Sequence, residues 1–197
     1  MKSETTTGQS KRKFIRDAPF ESNATWDEVP ENLLKCLRDT VRKNQWPILM
    51  YGTPGTGKTS AMVCLYRTLG KNPRWWNAVE FVRLVQRCRK DGHVLFEGSA
   101  YECGESSIWK TRVERPDILF VDDIGLRAPT DSQYEIIYEL INRRGDKPTI
   151  YTTNKSLSEL GQMYDGRIKS RLGSGAIIEV KGRDRRSEGS AKKRVEI

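Results

Sequence analysis

A glycine-rich stretch lies between an apolar run and a helical pattern, and it ends in a lysine and a threonine. Residues 52–59, GTPGTGKT, fit the spacing G-x-x-x-x-G-K-[ST] at every fixed position. Such glycines let consecutive backbone N–H groups turn toward an anion, and the following helix adds the positive end of its dipole. The stretch therefore predicts a phosphate-binding loop. The predicted binding residues are Gly52, Thr53, Pro54, Gly55, Thr56, Gly57, Lys58, Thr59 and Ser60.

Two side chains of this loop and one acid on a later strand suit a nucleoside triphosphate with Mg²⁺. In such a loop Lys58 would reach the β- and γ-phosphates of ATP, and the Thr59 hydroxyl would ligate Mg²⁺. Asp122 ends the apolar run ILFVD, so we expect its carboxylate at the carboxyl edge of the sheet, beside the loop. There it would hold the Mg²⁺ shell. The alternative for Asp122 is an acid that caps a loop.

Asp123 and Asn154 extend the candidate catalytic set. Asp123 directly follows the metal-binding acid, and we predict that it orients or deprotonates the attacking water. Its alternative is a solvated neighbour. Asn154 ends the next strand at the same edge, where its amide could bind the γ-phosphate or the water. Its alternative is a turn asparagine before the helix that starts near Ser156.

Short apolar runs alternate with helical patterns along the chain, and this alternation predicts an α/β fold with a parallel sheet covered on both faces. Cap signals occur at Thr130 with Gln133 and at Ser156 with Glu159. The stretch 93–116 is poorly patterned apart from a short helix around 107–113. Five strands are predicted over 46–51, 74–79, 117–125, 148–154 and 176–180. The main helices are predicted over 25–43, 57–69, 78–92, 130–144 and 165–172.

The composition favours a cytoplasmic protein with a polyanionic partner. The 197 residues carry a net charge of +9 at pH 7, which favours nucleic acid, with simple solubility as the alternative. No run of about 18 apolar residues predicts a membrane span, and the N-terminus has no apolar leader. The four cysteines form no C-x-x-C pair, so we expect reduced, structural thiols.

Two groups of basic residues are candidates for contacts with nucleic acid. One lies late in the helix 78–92 and the other lies near Trp109. Cations with an interleaved aromatic suit phosphate contacts and base stacking, whereas the alternative is an ordinary solvated helix face. We expect Trp75 and Trp76 in the core. The candidate cations are Arg83, Arg87, Arg89, Lys90, Lys110, Arg112 and Arg115.

Taken together, the motifs resemble those of the AAA+ ATPases. GTPGTGKT resembles the Walker A loop, ILFVDD the Walker B strand, TTN the sensor-1 strand, and GRIKSRL the box VII helix. The runs TTNKSLSEL and GRIKSRL narrow the resemblance to DnaC-like helicase loaders and their IstB-like transposition relatives. The resemblance covers about residues 25–186 and implies a three-layer P-loop NTPase fold of the ASCE/AAA+ type, without a C-terminal lid domain.

The same resemblance assigns further roles. Arg171 is similar to the arginine finger, which acts in trans in a homo-oligomer with shared ATP sites, and Arg167 lies one helical turn earlier. The alternative is a basic helix that faces solvent. Arg185 or Arg186 would approach the nucleotide or belong to a basic tail. Because Asp123 stands where many AAA+ proteins have the longer glutamate, we expect slow hydrolysis, stimulated by DNA.

The resemblance implies an ATPase that loads a replicative helicase on single-stranded DNA. The alternatives are an IstB-like helper that presents DNA to a transposase, and a nucleotide-gated DNA-binding adaptor with little turnover. We expect a disordered basic arm over 1–24, an AAA+ core over 25–182 and a basic flexible tail over 183–197. Loaders usually carry an N-terminal domain for their partner, whereas only the arm precedes the expected core here.

Overall fold

The computed structural model describes residues 24–69, 72–96, 102–182 and 184 of the chain. The predicted arm lies outside these residues except for Ala24, and the predicted tail lies outside them except for Asp184. Arg185 and Arg186 also lie outside them. The predicted limits of arm, core and tail therefore stay predictions.

Five parallel strands form the central sheet, which confirms the predicted α/β class. All strands of the described residues, in chain order, are β1 (Ile48–Tyr51), β2 (Pro73–Asn77), β3 (Val94–Leu95), β4 (Glu102–Cys103), β5 (Ile118–Asp122), β6 (Thr149–Thr153) and β7 (Ala176–Glu179). Strands β3 and β4 form a separate antiparallel pair, and the others lie in the order β2-β5-β6-β1-β7. Strand β6 therefore lies between β1, which leads into the glycine-rich loop, and β5, which ends in Asp122.

Helices cover both faces of this sheet. They are α1 (Glu31–Arg42), α2 (Lys58–Thr68), α3 (Ala78–Asp91), α4 (Glu105–Ile108), α5 (Asp131–Arg144), α6 (Leu157–Met163) and α7 (Gly166–Leu172). A 3₁₀ turn precedes α1, and α4 continues as a π-helix over Trp109–Glu114, so this helix is longer than the predicted 107–113. Among the described residues, no helix follows β7, and no helix is both long and apolar enough to cross a membrane.

The strands contribute alternate side chains to two hydrophobic cores, one on each face of the sheet. Ile48 and Met50 of β1 pack with α1 and α2, whereas Leu49 packs on the opposite face with the remaining helices. All three side chains are fully buried. Strands that are buried on both faces appear as continuous apolar runs in the sequence. Because helices pack on both faces of the sheet, the structure has the predicted three layers.

Local capping decides where several elements begin. Both predicted capping boxes are present, at Thr130 with Gln133 and at Ser156 with Glu159. The predicted strand 74–79 was too long at its C-terminal end, because Asn77, the last residue of β2, also caps α3. Its Oδ1 accepts hydrogen bonds from Val79 N at 3.0 Å and from Glu80 N at 3.4 Å.

A buried arginine fixes the amino ends of β5 and β6. Arg144, the last residue of α5, is 1% exposed and donates to Thr149 Oγ1 at 2.8 Å and to Pro148 O at 2.5 Å. It also donates to Val113 O at 2.9 Å and to Pro116 O at 3.0 Å. Burial lowers the pKa of its guanidinium to about 10, so the group stays charged at neutral pH.

We expect Arg144→Met to lower the free energy of unfolding by about 3 kcal/mol, because it leaves buried carbonyl groups without their donors. The control is Arg143→Met at the neighbouring, exposed position, where Arg143 pairs with Glu114 and Glu139. Loss of these exposed pairs should cost less than about 1 kcal/mol. Urea denaturation of both variants measures the difference, and equal losses would contradict the structural role of Arg144.

Candidate nucleotide-binding site

The glycine-rich loop joins β1 to α2 in a conformation that only glycine adopts easily at two positions. Gly57 caps α2 with φ 95°, in the left-handed region. At Gly52 a Cβ atom would lie 2.2 Å from Val180 O, so a side chain would collide with the chain after β7. Thr56 is buried, and its Oγ1 donates to Thr53 O at 2.9 Å, which folds the loop upon itself. The loop therefore places its backbone at the N-terminus of an 11-residue helix, a position suited to phosphate.

Lys58, the first residue of α2, places its ammonium group against the loop. The residue is 6% exposed, and its Nζ donates to Gly52 O at 2.7 Å and to Thr53 O at 2.8 Å. A buried ammonium group is costly unless it is hydrogen-bonded, and these carbonyl groups provide such bonds. The loop thus contains a cation at the point where the sequence predicts contacts with the β- and γ-phosphates.

Asp122 and Thr59 meet at the carboxyl edge of the sheet, although 63 positions separate them in the sequence. Asp122 is 5% exposed, and Thr59 Oγ1 lies 3.3 Å from each of its carboxylate oxygens. Thr152 Oγ1 also donates to Asp122 Oδ1. A hydroxyl oxygen and a carboxylate oxygen are ligands that Mg²⁺ prefers, so these two residues fit the predicted ion.

Asp123 lies beside this pair in a left-handed turn, with φ 61°. Its N–H donates to Thr152 Oγ1 at 3.0 Å, and the N–H of Ile124 donates to Thr152 O at 2.9 Å. The Asp123 side chain lines a groove of about 510 Å³ together with Arg83 and Arg127. Asp122 and Asp123 therefore face different surroundings, one buried and one open to this groove.

Asn154 follows β6 at the same edge, and its side chain is exposed. The next residue, Lys155, donates its N–H to Thr153 Oγ1 at 3.1 Å, which shapes the turn before α6. The structure thus places the amide at the end of the strand beside β5, where the sequence predicts it.

Arg171 lies on α7 and contacts α5. Its guanidinium carbon is 5.7 Å from the centre of the Tyr138 ring on α5, and Arg167 is exposed one turn earlier. Asp165 caps α7 through its Oδ1, and it accepts a hydrogen bond at 2.6 Å from the Tyr134 hydroxyl through its Oδ2. This bond raises the pKa of Tyr134 and lowers that of Asp165. Helix α7 is therefore tied to α5 at its beginning and near its end.

Thr152 is the residue of this site that sequence reasoning missed. It is 1% exposed, and its hydroxyl contacts both acidic residues at the end of β5. The sequence feature that could have identified it is a threonine two positions before Asn154, near the carboxyl end of the strand that pairs with β5.

The structure separates the predicted DNA-binding residues into two kinds. Trp109 is 2% exposed and its indole N–H donates to Glu105, so its predicted role in base stacking was wrong. Arg89 forms a bidentate salt bridge with the same Glu105, and the guanidinium carbon of Arg112 lies 4.1 Å from the centre of the Phe96 ring.

Trp75 is in the core, as predicted, and Trp76 is half-buried. The exposed cations of the predicted set include Arg83, Arg87, Lys90, Lys110 and Arg115.

Solved structures with the same fold include several proteins of DNA replication. The DnaC helicase loader matches with a TM-score of 0.60 at 18% identity, covering 86% of this chain and 99% of that one. DnaI matches with a TM-score of 0.55 at 17% identity, covering 88% and 93%. AMPPCP-bound DnaA from Aquifex aeolicus matches with a TM-score of 0.62 at 17% identity, covering 86% and 54%.

These similarities show the fold alone, and they agree with the predicted α/β fold around a central five-stranded parallel sheet. The chain spans about half the length of the first similar structures, 48% of a DNA replication initiation factor and 54% of the Aquifex DnaA. Among curated protein sequences, none matches this chain significantly. The family model described as IstB-like ATP binding protein matches residues 12–171. The chain therefore belongs to the family of IstB-like ATP binding proteins.

Proposed function

We propose that this protein hydrolyses ATP and acts on DNA as a DnaC-like loader, which binds single-stranded DNA and places a replicative helicase on it. The observation that carries the ATPase part is the meeting of Thr59 and Asp122 beside the loop that contains Lys58. Chemistry on a triphosphate needs an anion cradle, a cation and a metal-binding pair at one place, and this edge of the sheet supplies all three.

Each side chain has a separate role in the proposed reaction. Lys58 and the loop N–H groups bind the phosphates, while Thr59 and Asp122 hold Mg²⁺, which would neutralise charge on the phosphates when bound. Asp123 orients the attacking water and accepts its proton, and the Asn154 amide positions the same water or the γ-phosphate. Because Asp123 is shorter than glutamate, it reaches the water less well, and turnover is slow.

A neighbouring copy of the chain completes the site in this proposal. Arg171 packs on Tyr138 of its own α5, which presents α7 as one rigid surface. A guanidinium delivered by the neighbour would stabilise charge on the γ-phosphate, an effect of about 10³ to 10⁵ in rate. The active form is therefore a homo-oligomer with shared ATP sites.

The groove beside Asp123 is a candidate binding site through which DNA would raise the rate of ATP hydrolysis. Arg83 and Arg127 are both exposed and line this groove, and the exposed Leu126 also lines it. Guanidinium groups bind phosphodiesters well, and an apolar neighbour suits the face of a base. A bound single strand would lie next to the residue that handles the attacking water, so DNA binding stimulates turnover.

The family match favours a second candidate within the same chemistry, a helper ATPase that presents DNA to a transposase. The loader is supported by the similarity to DnaC and DnaI, whose chains are covered almost completely. Both candidates need the same ATP site and the same DNA contacts. Pull-down with a purified replicative helicase or transposase separates them, because each candidate retains only its own partner. A third candidate, a DNA-binding adaptor with little turnover, is favoured by the short Asp123.

We predict that Lys58→Ala weakens ATP binding about 100-fold, equal to roughly 2.7 kcal/mol, because the phosphates lose a charged donor. Titration with a fluorescent ATP analogue measures the affinity. Lys35→Ala, at an exposed position of α1, is the matched control and should bind like the wild type. Tight binding by the Lys58 variant would contradict the assignment of the loop.

We predict that Arg171→Ala subunits regain activity when mixed with Lys58→Ala subunits. The first type keeps an intact loop, and the second supplies the missing arginine, so random mixing at equal amounts restores roughly a quarter of the sites. Phosphate release measures the recovery. Arg171→Ala subunits mixed with the double variant Lys58→Ala/Arg171→Ala should stay inactive. Absence of recovery at every ratio would refute catalysis in trans.

We predict that single-stranded DNA stimulates hydrolysis and that stimulation rises steeply with protein concentration. The double variant Arg83→Gln/Arg127→Gln should reduce the salt dependence of DNA binding by about 1.4 in log–log slope, for two lost phosphate contacts. Arg38→Gln on the exposed face of α1 is the control. A hydrolysis rate that does not change when DNA is added would refute the proposed groove. An equal change of the salt slope in the Arg38→Gln control would also refute it. DNA binding with negligible turnover would instead identify the adaptor.

A further inference from the structure

Thr152 occupies a central position in the candidate site. It lies on β6, the strand between β1 and β5, and pairs with Met50 in the register of β1. The side chain is 1% exposed. A buried hydroxyl group must find hydrogen-bond partners, and the partners of Thr152 are the two residues that end β5 and begin the next turn.

The Thr152 hydroxyl contacts both acidic residues at once. It donates its single proton to Asp122 Oδ1, and it accepts the N–H of Asp123 at 3.0 Å. The Thr152 carbonyl group accepts the N–H of Ile124 at 2.9 Å. One residue thus holds the carboxylate of the first acid and the backbone of the second.

The backbone of Asp123 needs such support. Its φ of 61° lies in the left-handed region, which costs a residue with a side chain about 1 kcal/mol or more. The two bonds from the turn to Thr152 hold this conformation. In this conformation Asp123 lines the groove.

We propose that Thr152 is a positioning residue for the ATPase reaction, which sets the Asp122 carboxylate for Mg²⁺ and the Asp123 turn for the attacking water. The inference rests on the proposed function and names a residue outside the predicted site. Thr59 would serve the ion, whereas the bond from Thr152 would continue to orient Asp122. Side chains that orient metal ligands commonly contribute about 10- to 100-fold to metal affinity or activity.

The neighbouring Thr153 gives a matched control. It is also fully buried, but its hydroxyl accepts the N–H of Lys155 at 3.1 Å and thus belongs to the turn after β6. Replacement of either threonine by valine removes one hydroxyl with little change of shape. Only Thr152→Val removes a contact with the two acids.

The test compares Thr152→Val, Thr152→Ser and Thr153→Val in full-length protein. Binding of a fluorescent ATP analogue is measured with and without Mg²⁺, together with steady-state turnover and thermal unfolding of the free protein. We expect Thr152→Val to reduce the Mg²⁺-dependent gain in affinity about tenfold and turnover about 10- to 100-fold. Affinity without Mg²⁺ should stay unchanged. Thr152→Ser should restore both quantities, and Thr153→Val should resemble the wild type in both.

Equal effects of the two valine variants, or failure of the serine variant to restore the Mg²⁺-dependent gain, would overturn the proposal. Thr152→Ala adds no atoms to the buried site and serves as a second variant without the hydroxyl if the valine variant does not fold. Asp123→Asn is the reference for the proposed function. If it hydrolyses ATP like the wild type, the assignment of the water-activating acid fails, whereas the Mg²⁺-dependent binding still decides the role of Thr152.

Discussion

The hydrogen bonds between Asp122 and the hydroxyl groups around it are the interaction on which this site depends. A carboxylate that is 5% exposed would be strongly unfavourable without donors, and Thr59 and Thr152 supply them from α2 and β6. The three residues belong to separate segments of the chain. They meet because β6 lies between β1 and β5, so that the carboxyl ends of these strands share one edge of the sheet.

This arrangement also organises the groups in advance of any ligand. Lys58 is bonded to loop carbonyl groups, and Asp123 is held in its turn by Thr152, so neither has to be ordered when a triphosphate binds. Fixed dipoles and charges are effective in catalysis because they do not have to reorganise during the reaction. The two cores on either face of the sheet keep β1, β5 and β6 in place and thereby preserve these distances.

The parts of the fold that depend on neighbours in sequence could be predicted, as could the approach of Asp122 to the loop, whereas other contacts between distant residues could not. The loop at 52–59 and the caps at Thr130 and Ser156 follow from local geometry, and their residue types identify them. Trp109 was misjudged because cations surround it in the sequence. In the fold its ring lies 5.3 Å from that of Phe81, in an edge-to-face contact across α3 and α4.

The roles of Thr152 and Arg144 were hidden for the same reason. A threonine in an apolar strand and an arginine at the end of a helix are common, and nothing local distinguishes them. Several of their partners lie 28 to 31 positions away, at Asp123, Asp122, Val113 and Pro116. Only the order of the strands brings these groups together, and that order depends on packing across the whole sheet.

Helix α5 connects the amino ends of β5 and β6 with α7. At its C-terminal end Arg144 bonds to the segments that precede β5 and β6, the strands that carry Asp122 and Thr152. Near its N-terminal end Tyr134 bonds to the cap of α7, and Tyr138 packs against Arg171. Helix α5 therefore contacts both α7 and the segments that lead into the strands of Asp122 and Thr152. In the proposed oligomer, the position of the arginine that is offered to a neighbour would therefore depend on how α7 packs against α5.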